Sequence, residues 1–376
     1  MAVSPSTTAS SASRLSPHGA LTEPSGPCTP RVAVADTRPV VVVLATGGTI
    51  ASVTDPRAGR VLRSGDAHIA RLPAFADFEV RTVPVFMESS FALTAKHWDR
   101  LRQAVAEHLS APHVAGVVIT HGTDSIEETA YLLQLLHGDS RPVVVTGAIR
   151  PADAPEPDGP SNLRDAVIVA ASTSARNRGV LVVFDGLVFA AAGTRKVDTT
   201  ARAAFDSPDF GPVGSVRDGH PVFAQQASPV APLPAVTECA DLSSVRVDIV
   251  AAYPGADDIA LRAHAAAGAR GLILEATGSG NAPPPLVSAV SELTGAGLIV
   301  VVSSRVHRGS ISPLYGGQGG GRELVAAGAI PAGWMRPSQA RIALMALLAD
   351  GDGHRSVRER FTSLAAEPAA AQRLQL

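Results

Sequence analysis

Thr49 stands behind two glycines in Thr46-Gly47-Gly48-Thr49, directly after the apolar run VVVVLA at 40–45. Thr123 stands in a second segment of the same kind, His121-Gly122-Thr123-Asp124, directly after VAGVVIT at 114–120. Glycines beside a hydroxyl let a small ligand approach the backbone closely. A threonine hydroxyl is a weak nucleophile and needs a base or a relay. Asp124 is one polar partner for it, and Lys196 in GTRKVDTT is another. Lys96 is the chain's only other lysine, and a lysine in an apolar pocket can give up its proton where an arginine does not. Each of these residues also has a plainer use. Gly47-Gly48 makes a tight turn, Asp124 caps a helix with Glu127 closing a capping box, and Lys196 sits solvated on a loop. A phosphate cradle fits less well. The loop lacks both the G-x-x-x-x-G-K-[ST] and the G-x-G-x-x-G spacings, and neither threonine segment carries Arg or Lys.

Positioning these groups falls to short Val/Ile-rich runs, each followed by turn residues and a helical pattern. They lie at 40–45, 114–120, 141–147, 179–184, 245–253, 269–276 and 297–304. Continuous apolar strands suit a parallel sheet covered on both faces, and their alternation with helices predicts an α/β architecture. In open sheets of that kind ligands bind beyond the carboxyl ends of the strands, where both threonine segments sit. The expected organisation is an extension over 1–38, a larger N-terminal catalytic domain over 39–218 with a mostly parallel sheet, a Pro/Gly-rich linker over 219–244, and a smaller flavodoxin-like domain over 245–376. The extension is rich in Ser, Ala, Pro and Thr and reads as disordered, since it has little to bury against its ordering entropy. PSQARIALMALLA at 337–349 reads as a late helix packed in the core.

A length of 376 residues fits about two domains at roughly 150 residues each. A net charge of −2 gives no field that would draw nucleic acid or acidic lipid. Two cysteines exclude a disulfide framework and a cysteine zinc site. No apolar run approaches the ~18 residues of a membrane span. The N-terminal stretch lacks a signal peptide's apolar core, so a cytoplasmic location is expected.

The segments LATGGTIAS and VITHGTDSIEETAYLL resemble the two threonine signatures of the bacterial-type L-asparaginase/glutaminase family. The likeness runs on through VVVTGAIRPADAPEPDGPSNLRDAV, ARNRGVLVVFDG, GTRKVDTTARAAF, the SSR at 303–305 and the PSQAR helix, over residues 39–350. It implies hydrolysis of the side-chain amide of an amino acid, with no metal or organic cofactor. On that likeness Thr49 is the nucleophile, and Thr123, Asp124 and Lys196 form a second triad that handles protons. Ser90 would hold the substrate α-carboxylate and Asp124 its α-amino group, with Phe91, Gly48, Gly122 and Ala148 completing the substrate pocket. Attack creates an oxyanion that backbone N–H groups of the glycine loops can stabilise; ammonia leaves, and water hydrolyses the acyl-threonine. The likeness further implies a homodimer or homotetramer with active sites near subunit interfaces, and no nucleic-acid or membrane partner.

The chain departs from the family pattern in several places. Residues 50–66, where the lid of such a site would lie, contain no tyrosine; Phe91 follows Ser90 where a polar residue is usual; Ser279 stands in place of an asparagine; and no carboxylate occurs between Arg305 and Glu323, although Tyr315 lies there. These departures keep in view an amino-acid-binding protein of the same fold, and the shared threonine motifs keep in view a subunit of a tRNA-dependent amidotransferase, against which the lack of basic charge counts. Asparagine and glutamine remain open, since one methylene is worth only ~1–3 kcal/mol in discrimination.

Overall fold

Strand β1 (Val40–Gly47) is buried along its whole length, as a run of Val and Leu must be when both faces of a sheet are covered. The computed structural model describes residues 38–63, 72–225, 233, 241–351 and 353–366; residues 1–37 of the extension expected over 1–38 and most of the expected linker lie outside them. Two parallel neighbours flank β1: β4 (Glu79–Glu88) and β5 (Val114–Thr120). Beyond β5 come β6 (Val143–Thr146) and β7 (Val180–Phe184), also parallel, and then the antiparallel strands β8 (Leu187–Ala190), β11 (Gly214–Arg217) and β12 (His220–Phe223). The order is β12-β11-β8-β7-β6-β5-β1-β4.

Side chains of β1 alternate between two cores. Val40, Val42 and Leu44 pack with α1 (Ala95–Leu109) and α2 (Ile126–Leu136), whereas Val41 and Val43 pack with α3 (Gly159–Ala171). Helices therefore cover both faces. Between β1 and β4 the chain forms a 3₁₀ turn, Thr49–Ala51, and a hairpin of β2 (Ser52–Asp55) and β3 (Gly59–Leu62). This hairpin occupies the start of the expected lid, and residues 64–66 of that lid lie outside the described chain. Another two-stranded ribbon, β9 (Arg195–Lys196) with β10 (Phe205–Asp206), stands apart from the main sheet.

The C-terminal half builds its own parallel sheet from β13 (Val247–Ala251), β14 (Gly271–Ala276), β15 (Ile299–Ser304) and β16 (Ile330–Pro331). Helices α4 (Ile259–Ala266), α5 (Pro284–Gly295), α6 (Gly321–Ala326), α7 (Pro337–Ala349) and α8 (His354–Ala365) accompany it. Helix α7 is the expected late helix, and it is apolar nearly all round, as a helix packed on two sides must be. One side meets the small sheet and the other meets α2, so Tyr131 of α2 shares a core with Leu272, Val301 and Leu344. The Tyr131 ring meets Trp334 edge-on, and its hydroxyl donates to the Met335 sulfur at 3.4 Å.

Each apolar run read as a strand is a strand. One long strand was not legible, β4, whose apolar pattern is broken by Glu79, Arg81, Pro84 and Glu88. It is the edge of the sheet, where a proline leaves no ladder bond unmade. The large sheet also runs on to Phe223 through the β11–β12 hairpin, past residue 218. No helix among the described residues is long and apolar enough to cross a membrane.

Gly48 marks a tight point between two loops of this fold. Its φ is +79°, and a β-carbon there would lie 2.3 Å from the Gly122 nitrogen and 2.4 Å from the Gly122 Cα. Both obstacles are backbone, so no rotamer relieves them. Gly59, in the β2–β3 turn, has a φ of +74° but open space around its β-carbon position. Gly48→Ala is expected to destabilise the chain by about 3 kcal/mol or more, combining backbone strain with overpacking. Gly59→Ala should cost only about 1–2 kcal/mol, the left-handed penalty alone. Denaturant melts of the two variants check this contrast, and equal midpoints would refute the close contact.

Candidate active site

The ends of four neighbouring strands assemble the site. Strands β4, β1, β5 and β6 lie side by side and parallel, so their carboxyl ends share one edge. From that edge emerge Ser90 after β4, Gly48-Thr49 after β1, Gly122-Thr123-Asp124 after β5, and Gly147-Ala148 after β6. Gly48 abuts Gly122, and a β-carbon on Gly122 would lie 2.5 Å from the Ser90 Oγ. Three loops thus touch through positions that tolerate no side chain. The Asp124 N–H donates to the Ser90 hydroxyl at 3.2 Å, and the Ser125 hydroxyl donates to the Ser90 carbonyl at 2.8 Å.

Lys196 comes from the separate ribbon and reaches this edge. Its ammonium donates to the Thr123 hydroxyl at 2.9 Å and to the Asp124 carboxylate at 2.7 Å. The lysine side chain is 19% exposed and that of Asp124 is 55% exposed. Thr123 and Ser90 are buried, and Thr49 is partly exposed. An ammonium that engages a hydroxyl and a carboxylate together can steer a proton between oxygen and nitrogen atoms. Asp124 does not cap a helix: no side-chain cap bond is made at Thr123–Ser125 or at the start of α2. Glu127 does not close a capping box either. Its carboxylate accepts the Lys196 N–H at 3.0 Å and the Ser338 hydroxyl at 2.5 Å.

Buried polar groups hold the loops from below. His121 is fully buried, and burial pushes its imidazole down to about 4, so it is neutral near pH 7. The Trp98 indole N–H can only donate, and it donates to the Thr129 hydroxyl at 2.9 Å. Thr129 in turn meets His121 Nε2 at 3.0 Å, and His121 Nδ1 lies 2.7 Å from the Gly122 carbonyl. A carbonyl can only accept, which assigns the proton to Nδ1 and makes Nε2 the acceptor for Thr129. On the other side Asp158 accepts the N–H groups of Ile149 and Arg150 at 2.9 and 2.8 Å, and Asn162 donates to the Gly147 carbonyl at 3.0 Å. None of these supports was singled out from sequence. Asp158 and Asn162 do carry a signal, being four apart at the start of α3 and so on one helical face.

Gly48, Gly122, Thr123, Asp124, Ser90 and Lys196 meet as described. Ala148 is fully buried and presents no surface to a ligand. Phe91 is 80% exposed. Among the described residues nothing hydrogen-bonds the Thr49 side chain, in keeping with a hairpin that has no tyrosine. Ser279 buries a hydroxyl after β14 that has no hydrogen-bond partner among the described residues, and Tyr315 lines a cavity of about 430 Å³ with Tyr253 and Asn281. Neither hydrogen-bonds to the Thr123–Asp124–Lys196 group. No cluster of three His, Cys, Asp or Glu among the described residues could hold a metal ion.

The chain matches known proteins over most of its length. Residues 40–229 match the family described as "Asparaginase, N-terminal", and residues 246–361 match "Glutaminase/Asparaginase C-terminal domain". A probable L-asparaginase of Deinococcus radiodurans is 38% identical over 327 residues, 86% of this chain and 97% of that protein. A glutaminase-asparaginase of Pseudomonas aeruginosa is 34% identical over 276 residues, 72% of this chain and 76% of that protein. The crystal structure of a probable cytoplasmic L-asparaginase from Campylobacter jejuni superposes with a TM-score of 0.75 at 30% identity, covering 86% of this chain and 99% of that one.

Beside Ser90 and Asp124 opens a cavity of about 670 Å³, bordered by Phe91, Trp98, Glu128 and Arg341. Among the described residues, Glu128 buries one carboxylate oxygen there without a hydrogen-bond partner. Burial, and after it the neighbouring Glu127 charge, pushes its carboxyl up from 4.5 to about 7. The folded state therefore binds this proton more tightly than the unfolded chain does. The stabilising contribution is complete below about pH 4.5 and fades as pH climbs through about 7. Glu128→Gln keeps the shape and removes the charge. The variant should exceed wild type in stability by roughly 2–3 kcal/mol near pH 8, and the two should converge near pH 4.5. Denaturant melts across that range check it; a constant difference would refute the shifted carboxyl.

Proposed function

This chain belongs to the asparaginase family, and on that premise we propose that it is an L-asparaginase, hydrolysing L-asparagine to L-aspartate and ammonia. The observation that carries the reading is the junction of the Lys196 ammonium with Thr123 and Asp124, on the sheet edge that also presents Thr49. In this reading the Thr49 hydroxyl oxygen attacks the carboxamide carbon of the substrate. Its proton passes through the Thr123–Asp124–Lys196 group to the amide nitrogen, which departs as ammonia. Water then attacks the acyl-threonine ester, releasing aspartate and restoring the hydroxyl. Thr49 and Thr123 each open a 3₁₀ turn, and the first amides of such a turn have no partner within it. Those N–H groups are the donors assigned to the oxyanion.

Asp124, the more exposed member of the pair, takes the substrate α-ammonium in this reading, and Ser90 takes its α-carboxylate. Phe91 borders the same end of the site but offers no hydrogen bond. The likeness to a glutaminase-asparaginase makes L-glutamine the second substrate to measure. The assembly in this reading is a homodimer or homotetramer with active sites near subunit interfaces. Support comes from the apolar side chains of Phe91, Leu314 and Tyr315, exposed by 80%, 70% and 62%, which such interfaces would cover. A cytoplasmic location belongs to the same reading, supported by the Campylobacter jejuni neighbour.

The purified protein should release ammonia from L-asparagine in a steady-state assay run alongside D-asparagine and L-glutamine. Thr49→Ala and Thr123→Ala should each lower kcat by at least about a thousandfold, as loss of a group acting in the chemical step does. A wild-type protein that releases no ammonia from asparagine or any related amide would overturn the reading.

A further inference from the structure

Lys196 reaches the site from a ribbon that pairs only two residues with two, Phe205 opposite Lys196 and Asp206 opposite Arg195. A ribbon of that size has no stability of its own, yet its lysine must place an ammonium within hydrogen-bond reach of two acceptors. The grip on it comes from elsewhere. Glu127 of α2 accepts the Lys196 N–H at 3.0 Å with one carboxylate oxygen. The other oxygen accepts the hydroxyl of Ser338, in the first turn of α7, at 2.5 Å. Gln339 grips the approach to the ribbon. Its amide nitrogen donates to the Ala191 carbonyl at 2.9 Å, the Thr194 carbonyl at 3.1 Å and the Glu127 carbonyl at 3.3 Å. Its amide oxygen accepts the Gly193 N–H at 3.0 Å. Ser338 is separated from Glu127 by 211 residues, so one clamp joins the C-terminal half to the strand bearing the lysine.

We propose that Glu127, Ser338 and Gln339 are positioning residues that register Lys196 against Thr123 and Asp124, so that the seating of α7 on α2 sets the turnover rate. This inference rests on the asparaginase reading for its kinetic consequence but not for its structural one. Ser338 and Gln339 make no hydrogen bond to Thr49, Thr123, Asp124 or Ser90, so their action passes through Glu127 and the 191–196 backbone. Releasing that backbone displaces the ammonium while leaving the groups assigned to substrate binding in place. The effect therefore falls on kcat and spares KM.

The test uses the full chain as wild type, Ser338→Ala, Ser338→Thr, Glu127→Gln and the Ser338→Ala/Glu127→Gln double variant. Misplacing a catalytic group by a fraction of its bond length is costly, so Ser338→Ala should lose about tenfold in kcat with KM within about twofold. Ser338→Thr, which keeps the hydroxyl, should recover most of the rate. The double variant should be no slower than Glu127→Gln alone, because both changes break one linkage. Hydrogen exchange followed by mass spectrometry, without substrate, should show faster exchange of the Lys196 amide in Ser338→Ala and unchanged exchange in β1 and β5. Unchanged kcat and Lys196 exchange in Ser338→Ala would overturn the clamp, as would losses that multiply in the double variant. A kcat loss that Ser338→Thr does not recover would also overturn it. An inactive wild type would sink the asparaginase reading instead, and the exchange measurement would still decide the clamp.

Discussion

Two loops meet backbone to backbone at the edge of the large sheet, with no room for a β-carbon between Gly48 and Gly122. That contact sets Thr49 and Thr123, each one residue further on, on adjoining loops. It can exist only if the strands that feed the loops end on the same side, which requires β1 and β5 to be parallel neighbours. Parallel neighbours in turn require crossover helices on the faces of the sheet. Val40 to Leu44 are therefore apolar on both sides of the strand, alternately meeting α1 and α2 or α3. The site and the fold class thus follow from one requirement.

The parallel sheet alone cannot supply the charge. The loops at its edge offer hydroxyls, amides and the Asp124 carboxylate, but the cation arrives from a ribbon outside the sheet. Such a ribbon places a side chain well only when heavier elements hold its backbone. Glu127 and Gln339 do so with bonds of 2.9–3.1 Å to residues 191–196. The helix that carries Gln339 is apolar through most of its circumference and lies between the small sheet and α2. A core helix thus doubles as the anchor of a lysine, and the C-terminal half enters the site's geometry through the backbone of residues 191–196.

Much of this was legible in the sequence, for physical reasons. Val/Ile runs with turn residues behind them have few ways to be buried, so the seven apolar runs became strands, and glycines beside a threonine at a strand end marked the two loops. Lys196 was legible because lysine is so scarce in this chain. The strand β4 was not, because an edge strand need not be apolar on both faces and can hold Pro84. Glu127 resembled a capping residue because its partners, the Lys196 N–H and the Ser338 hydroxyl, are remote in sequence and no local pattern encodes them. Gln339 hid inside a helix whose periodicity spoke only of packing. His121 was visible as part of the motif, but its role as a neutral strut depends on Thr129 and Trp98, which only the folded chain brings to it.

The distribution of charge across the site has its own logic. Deep supports are neutral or satisfied by backbone: His121 is held uncharged by burial, Thr129 and Trp98 carry no charge, and Asp158 is matched by two N–H groups. The ionised pair of Lys196 and Asp124 stands further out, with the carboxylate half exposed. A buried pair would have to overcome the desolvation of both ions before doing anything else. At the mouth, water bears that cost until a ligand displaces it, and in the proposed reading a zwitterionic amino acid brings an ammonium of its own to Asp124. The carboxylate then has two cations to balance, which loosens its hold on Lys196 as the substrate seats. In that reading exposure of Asp124 is a working feature, because it lets substrate binding alter the partnership of Lys196, the residue assigned to the proton.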